Sequence, residues 1–153
     1  MNDLNEDLLS AWLTLSSIVS NERMVSYLSF NEAFVCHLLY KARCIDSNAS
    51  LTATDLCNET RMLKSQMNKT LNSLEAKGLI KKTRSTTDKR QFHVTLCKEQ
   101  LALYEKEHLQ ILNMIDQFIE KIGIEETTQA IRTLNLLAQN FNQLIHERKS
   151  NGN

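Results

Sequence analysis

The chain contains no proline and only three glycines, Gly78, Gly123 and Gly152. Proline interrupts helices most strongly, because it lacks an amide donor and its ring collides with the preceding turn. Glycine supplies the positive φ that tight turns need. Against usual shares of about 5% proline and 7% glycine, a chain this poor in both has few places to reverse sharply. Long, uninterrupted helices follow, and a β-sandwich or barrel with many tight turns is argued against. The expected fold class is mainly α.

Apolar spacing locates the helices. Leu4, Leu8, Trp12, Leu15 and Val19 recur at threes and fours, which predicts an amphipathic helix over 4–20. Residues 21–28 lack strong periodicity and read as a connection. Ser29 followed by Glu32 is a capping-box start. Phe30, Phe34, Leu38 and Ala42 then define the face of a second helix, widened by Val35 and Leu39. The polar run Asp46 to Ser50 reads as a loop. Thr52, with Asp55 after it, caps a short third helix that turns Leu56 and Cys57 inward. After a turn around Thr60 to Leu63, a fourth helix runs from about Lys64 to Lys77 with Met67, Leu71 and Leu74 as its buried stripe. Gly78 ends it.

Leu79 to Arg84 and Gln91 to Leu96 are richer in β-formers, and Phe92, Val94 and Leu96 alternate with polar residues. They predict a small β-hairpin. Its tip, Ser85 to Arg90, is longer than a two-residue turn and is expected to be mobile. Helical spacing resumes through Leu101, Tyr104, His108, Ile111, Ile115, Phe118 and Ile122, breaks at Gly123, and returns in Ile131, Leu134, Leu137, Ala138, Phe141 and Ile145. Ser150 to Asn153 is expected to fray. The 153 residues fit a single domain, with 1–45 and 98–149 helical and 50–97 forming a compact lobe.

Charge is distributed unevenly. The chain is neutral overall, yet the segment from Arg61 to Arg90 holds nine cations against Glu75 and Asp88, an excess of seven positive charges. Such a concentration in a neutral protein marks a surface for a polyanion. Charge alone fits a solvated basic hairpin equally well. The order of elements adds more: short helix, turn, helix, glycine, strand, basic tip, strand. A helix that follows such a turn fits the major groove of duplex DNA, with its outward N-terminal residues at base edges. Those residues are Lys64, Ser65, Gln66, Asn68 and Lys69. Gln and Asn can bond adenine in a bidentate way, and Lys can reach guanine or phosphate. Arg84, Lys89 and Arg90 at the hairpin offer cations to the backbone or the minor groove.

The stretch from Leu51 to Leu96 resembles the winged helix of MarR-family transcriptional regulators. The resemblance is carried by Leu56, by Lys64 and Ser65 opening the fourth helix, by Leu74, Glu75, Lys77, Gly78, Leu79 and Ile80, and by Asp88-Lys89-Arg90 followed by a strand. The flanking helices match the family's layout as well. The resemblance implies a winged helix-turn-helix with N- and C-terminal dimerisation helices, which 1–45 and 98–149 would supply. It also implies that Arg90 enters the minor groove and that Asp88 orients it. Two features depart from the family's pattern. Arg61 stands where many relatives have glycine, and the wing tip lacks the usual glycine or proline.

The expected function is therefore sequence-specific binding of double-stranded DNA by a homodimer, as a repressor on a palindromic operator that a small-molecule effector can release. Trp12, Leu136, Leu137, Phe141 and Leu144 are the expected dimer-interface residues. The alternative is a winged-helix protein-interaction module, such as an anti-repressor that sequesters a related regulator. No phosphate-binding glycine loop, nucleophile elbow or zinc-protease motif is present, so an enzyme is not expected. No cofactor and no metal are expected either. Cys36 and His37 are adjacent and diverge by about 100° around a helix, and His108 lies on another element. Cys36, Cys44, Cys57 and Cys97 form no C-x-x-C pair and are all expected to be buried apolar fillers. Tyr27, Tyr40, Arg43 and Tyr104 suit a ligand pocket and ordinary packing equally, and no ligand residue is assigned. No apolar run approaches the roughly 18 residues of a membrane span, and Met1 to Asp7 carries acids and no base, so a cytoplasmic protein is expected.

Overall fold

The computed structural model describes residues 2–21 and 27–150. Residues 22–26 of the expected connection, residues 151–153 of the expected tail and the Ile145 side chain lie outside the described residues. The elements run α1 (Asn2–Asn21), α2 (Phe30–Ile45), β1 (Leu51–Thr52), α3 (Ala53–Thr60), α4 (Lys64–Ala76), β2 (Ile80–Arg84), β3 (Phe92–Leu96), a single 3-10 turn (Lys98–Gln100), α5 (Leu101–Ile122) and α6 (Ile124–Ser150). The chain forms two compact units, Met1–Ile111 and Leu112–Asn153.

Local chemistry explains the boundaries in the first unit. At the start of α2 the Glu32 side chain accepts from the Ser29 amide at 2.8 Å, and Ser29 Oγ accepts from the Glu32 amide at 3.4 Å. At the start of α3 the Asp55 carboxylate accepts from the Thr52 amide at 2.8 Å, and Thr52 Oγ1 accepts from the Asp55 amide at 3.1 Å. Each reciprocal pair satisfies amides that the first turn of a helix leaves without a carbonyl. Helix α4 ends at Gly78, whose φ of 72° is left-handed. The Gly78 amide donates to the Glu75 carbonyl at 2.9 Å and the Leu79 amide to the Leu74 carbonyl at 3.0 Å. This paired closure returns the chain towards α4 and starts β2.

Arg61 takes the same left-handed conformation, with φ 60° and ψ 14°. The turn between α3 and α4 is thus shaped as a glycine would shape it, at a conformational cost of about 1 kcal/mol for an L-residue. The Arg61 amide donates to the Cys57 carbonyl at 2.9 Å, and the Thr60 hydroxyl to the Leu56 carbonyl at 2.7 Å.

The sheet has three antiparallel strands in the order β1-β3-β2, where a two-stranded hairpin was expected. Leu51 sits opposite Val94, Ile80 opposite Leu96 and Arg84 opposite Phe92. The added strand is only two residues long, too short for any alternation of apolar residues to reveal it. It closes the open edge of β3 and joins the approach to α3 to the sheet.

The core of this unit gathers Val35, Cys36 and Leu39 from α2, Leu56 from α3, Met67, Leu71 and Leu74 from α4, and Leu79, Ile80, Val94, Leu96 and Tyr104 beyond them. The stripe expected on α2 is therefore rotated. Phe30 is 46% exposed and Phe34, Leu38 and Ala42 are half-buried, while Glu32, Val35, Cys36 and Leu39 face inward. Periodicity gives a helix a face only to within one residue, and a buried acid on that face does not register as apolar. Helix α1 leaves Leu4, Leu8 and Leu15 exposed.

In the second unit, Gly123 separates α5 from α6 with a φ of 98°, and a Cβ there would lie 2.9 Å from Glu126 Oε2. Thr127 closes the turn by donating its hydroxyl to the Gly123 carbonyl at 2.6 Å. Helix α6 exposes Ile131, Leu134, Leu136 and Leu144. No helix among the described residues is long and apolar enough to cross a membrane.

Candidate nucleic-acid interface

Helix α4 has two faces of opposite character. Met67, Thr70, Leu71 and Leu74 are buried against the core. Lys64, Ser65, Gln66, Asn68 and Lys69 are all exposed on the other side. The inward Met67 and Leu71 differ by four residues, so the five outward positions share the N-terminal surface between successive turns. Thr70, which sequence spacing does not single out, fills its inward position by donating its hydroxyl to the Gln66 carbonyl at 2.9 Å.

The first turn of α4 carries an unusual cap. Leu63 occupies the N-cap position and has no side-chain acceptor to offer. Gln66 compensates in part, because its Oε1 accepts from the Leu63 amide at 3.1 Å. The carboxamide nitrogen of Gln66 keeps its donors, so Gln66 combines a capping contact with an outward hydrogen-bonding group.

The hairpin tip carries a set of local hydrogen bonds. Ser85, only 7% exposed, accepts at Oγ from the amides of Thr87 (3.3 Å) and Asp88 (3.2 Å). Its own amide donates to the Gln91 carbonyl at 2.9 Å. Asp88 Oδ1 accepts from the Arg90 amide at 2.9 Å, and the Asp88 carbonyl from the Gln91 amide at 2.9 Å. Side-chain acceptors on Ser and Asp thus do what a glycine or proline turn would otherwise do. Asp88 acts on the backbone of residue 90, and no ion pair joins its carboxylate to the Arg90 guanidinium among the described residues. Lys89 and Arg90 are exposed at the tip, and Arg84 lies over the Phe92 ring at 5.6 Å.

Tertiary pairing sorts the nine cations of this segment. Lys77 donates to Glu32 at 2.8 Å and to the Tyr27 carbonyl at 2.9 Å. Lys82 pairs with Glu75 at 2.8 Å and donates to Asn72 Oδ1 at 2.8 Å, which ties β2 to α4. Glu32 is 4% exposed and also accepts from the Ser73 hydroxyl at 2.6 Å. Burial alone would raise the Glu32 carboxyl, but Lys77, Ser73 and the Ser29 amide outweigh it and hold the group below its ordinary value. Neither pairing was legible in the sequence, since Glu32 on α2 meets Lys77 just past α4, and Lys82 on β2 meets Glu75 on α4. The remaining cations on α4 and the tip, Lys64, Lys69, Lys89 and Arg90, form no ion pair among the described residues.

The cysteines divide rather than behave alike. Cys36 is fully buried, Cys57 and Cys97 are half-buried, and Cys44 is exposed, against the expectation that all four are buried. Cys44 lies in the last turn of α2, away from the inward Val35, Cys36 and Leu39. Burial, reinforced by the nearby Glu32 charge, pushes the Cys36 thiol up to about 12. Burial and then Glu99 also raise Cys97. Because the thiolate is the reacting form, iodoacetamide should alkylate Cys44 first and Cys36 only on unfolding. Mass spectrometry of quenched time points checks this, and prompt labelling of Cys36 in the folded protein would contradict it.

Of the tyrosines and histidines set apart in the sequence, Tyr40, Tyr104, His37 and His108 meet, while the Tyr27 ring lies by Lys77 at 5.1 Å. Tyr40 and Tyr104 lie 5.2 Å apart between ring centroids, and His108 stacks on Tyr104 at 5.8 Å and on His37 at 6.0 Å. Burial, then repulsion from His108 and Lys41, lowers the His37 pKa. Among the described residues, no group of three or more His, Cys, Asp or Glu side chains could hold a metal ion. Arg43 sits elsewhere, in a 330 Å³ cavity with Leu39, Lys81, Leu96, Cys97 and Lys98.

Comparison with known proteins places this arrangement. Residues 44–91 match the sequence model of the MarR family. No curated protein matches the chain. Among solved structures, the chain is similar to the PcaV transcriptional regulator from Streptomyces coelicolor in complex with its natural ligand, with 17% identity, a TM-score of 0.69, and coverage of 86% of this chain and 89% of that one. It is also similar to S. aureus MepR in a DNA complex, with 16% identity, a TM-score of 0.65 and coverage of 92% and 98%. Streptococcus pneumoniae FabT in complex with DNA gives 20% identity, a TM-score of 0.58 and coverage of 94% and 96%. At these identities the structural likeness is one of fold, and the sequence match runs from the end of α2 through α3, α4, β2 and the hairpin tip. The helix-turn-helix, the three-stranded sheet and the basic tip together make a winged-helix arrangement, and its segment 44–91 is similar to the MarR family of transcriptional regulators.

Proposed function

We propose that this protein is a sequence-specific DNA-binding regulator that acts as a homodimer on a palindromic duplex, represses transcription there, and lets go when a small molecule binds. The observation that carries this reading is the outward face of α4: Lys64, Ser65, Gln66, Asn68 and Lys69 are exposed together on a helix whose other face is locked into the core. Such a face presents base-reading amides and phosphate-seeking cations on a rigid support. Lys89 and Arg90 at the organised wing tip supply a second anchoring point. The MepR and FabT structures hold DNA on the same fold, which supports the reading by analogy.

Dimerisation is supported by the apolar residues that α1 and α6 each expose, including Leu4, Leu8, Leu134 and Leu144. Two-fold symmetry would present two α4 helices to successive turns of one duplex face, and hence a palindromic site. Release by an effector is supported by the cavity of Arg43, Lys81, Lys98 and Glu99, whose three cations against one carboxylate suit an anionic ligand beside Leu39 and Leu96. The PcaV structure holds that protein's natural ligand.

The reading is tested by fluorescence anisotropy on the duplex upstream of the protein's own gene, against an unrelated duplex, across a salt series. Tighter binding to the upstream duplex at physiological salt is the expected result. Equal and steeply salt-dependent binding to both would reduce the surface to a generic polycation. Absence of binding at low salt would favour a protein-interaction module instead.

A further inference from the structure

The turn into α4 holds a residue that the fold does not use. Leu63 is 67% exposed, although its neighbour Met62 packs against the core and already tethers the turn. Leu63 also stands at the N-cap, where Ser, Thr, Asp or Asn would satisfy an amide of the first turn and leucine is among the poorest choices. The position therefore forgoes a capping bond and leaves a large apolar side chain in water. Its immediate surroundings on the surface are Lys64, Ser65 and Gln66, all exposed. An isolated aliphatic group among polar, base-reading side chains matches one feature of the major groove that hydrogen bonds cannot read, the thymine 5-methyl group.

We propose that Leu63 is a specificity-determining residue that packs on the 5-methyl group of a thymine in each half-site. The inference rests on the DNA-binding reading above. With φ −64° and ψ 149°, Leu63 is in extended backbone just ahead of the helix, and its carbonyl accepts the first helical bond from Met67 at 2.9 Å. The side chain thus leaves a fixed point at the leading end of α4, the end that enters a groove first. Lys64 or Lys69 on phosphate and Gln66 on an adjacent base would hold the register in which the methyl contact forms.

The test uses the full chain and a pool of duplexes with a randomised centre. The enriched duplex is resynthesised with each thymine in turn replaced by deoxyuridine, which removes the methyl group and leaves every hydrogen-bonding edge in place. For the wild type, one position per half-site should weaken binding by about four-fold, the effect of one buried methyl. Leu63→Ala should abolish that penalty. Leu63→Ser should abolish it too while holding or raising the melting temperature, because serine restores the cap, so loss of the methyl effect cannot be read as loss of folding. A duplex whose thymines all tolerate the replacement, or a penalty that persists in both variants, would overturn the assignment while leaving DNA binding intact. A pool that enriches no duplex at all would overturn the DNA-binding reading and this assignment together.

Discussion

Glu32→Ala is expected to destabilise the protein by about 2–3 kcal/mol, one of the largest effects of any single charged residue in this chain. The carboxylate is 4% exposed and accepts from the Ser29 amide, the Ser73 hydroxyl and Lys77 Nζ. Truncation removes the Glu32 half of the α2 capping box and leaves the Ser73 hydroxyl without this partner. The Lys77 side chain is 28% exposed and can regain water, which keeps the cost below that of breaking a fully buried pair. Lys77→Ala should cost as much or more, because it leaves a buried carboxylate without its cation. Urea denaturation at fixed protein concentration measures both. A loss under about 0.5 kcal/mol for Glu32→Ala would remove this cluster from the fold's essential contacts.

The same cluster has a pH signature of defined sign. The folded state holds the Glu32 carboxyl below its ordinary value of 4.5, so it binds protons less readily than the unfolded chain. Its stabilising contribution is present above that ordinary value and is lost as pH falls through the lower, folded one. Glu32→Gln cannot titrate, so the stability gap between it and the wild type should close as the medium is acidified through that window. A gap constant in pH would mean that the charge on Glu32 plays no part.

The second large effect concerns DNA. Lys69→Ala combined with Arg90→Ala should lower operator affinity by two orders of magnitude or more at moderate salt, and flatten the salt dependence by about two per half-site. Lys77→Ala and Lys82→Ala carry the same formal charge change, but Lys77 is paired to Glu32 and Lys82 to Glu75. A cation already neutralised by a carboxylate releases fewer counterions on binding, so these two variants should leave the slope nearly unchanged. Anisotropy titrations at several salt concentrations give all four slopes. Equal slopes for all variants would mean that the segment acts only as a diffuse positive field. The comparison also bears on the wing, since Asp88 orders the backbone amide of Arg90 and leaves the guanidinium to reach outward.

Much of this architecture can be read from local rules. The capping boxes at Ser29 and Thr52, the stop at Gly78 and the stripe of Met67, Leu71 and Leu74 each depend on residues within one or two helical turns, and the structure places each as the sequence implies. The outward set on α4 is equally local, since it is the complement of that stripe on the same helix. Where the structure departs from the sequence reading, the cause lies beyond that range. The face of α2 is rotated because a buried acid, Glu32, is satisfied by α4. The third strand exists because Leu51 meets Val94 across the sheet.

The helical class, the element order and the outward side of α4 are set locally, because helix period, capping and turn chemistry act between near neighbours. Long-range packing set the rest: that Lys77 is paired with Glu32 and Lys82 with Glu75, and that Cys44 is exposed while Cys36 is not. Those outcomes depend on which groups meet across distant stretches of chain, and on the desolvation and pairing that follow when they do.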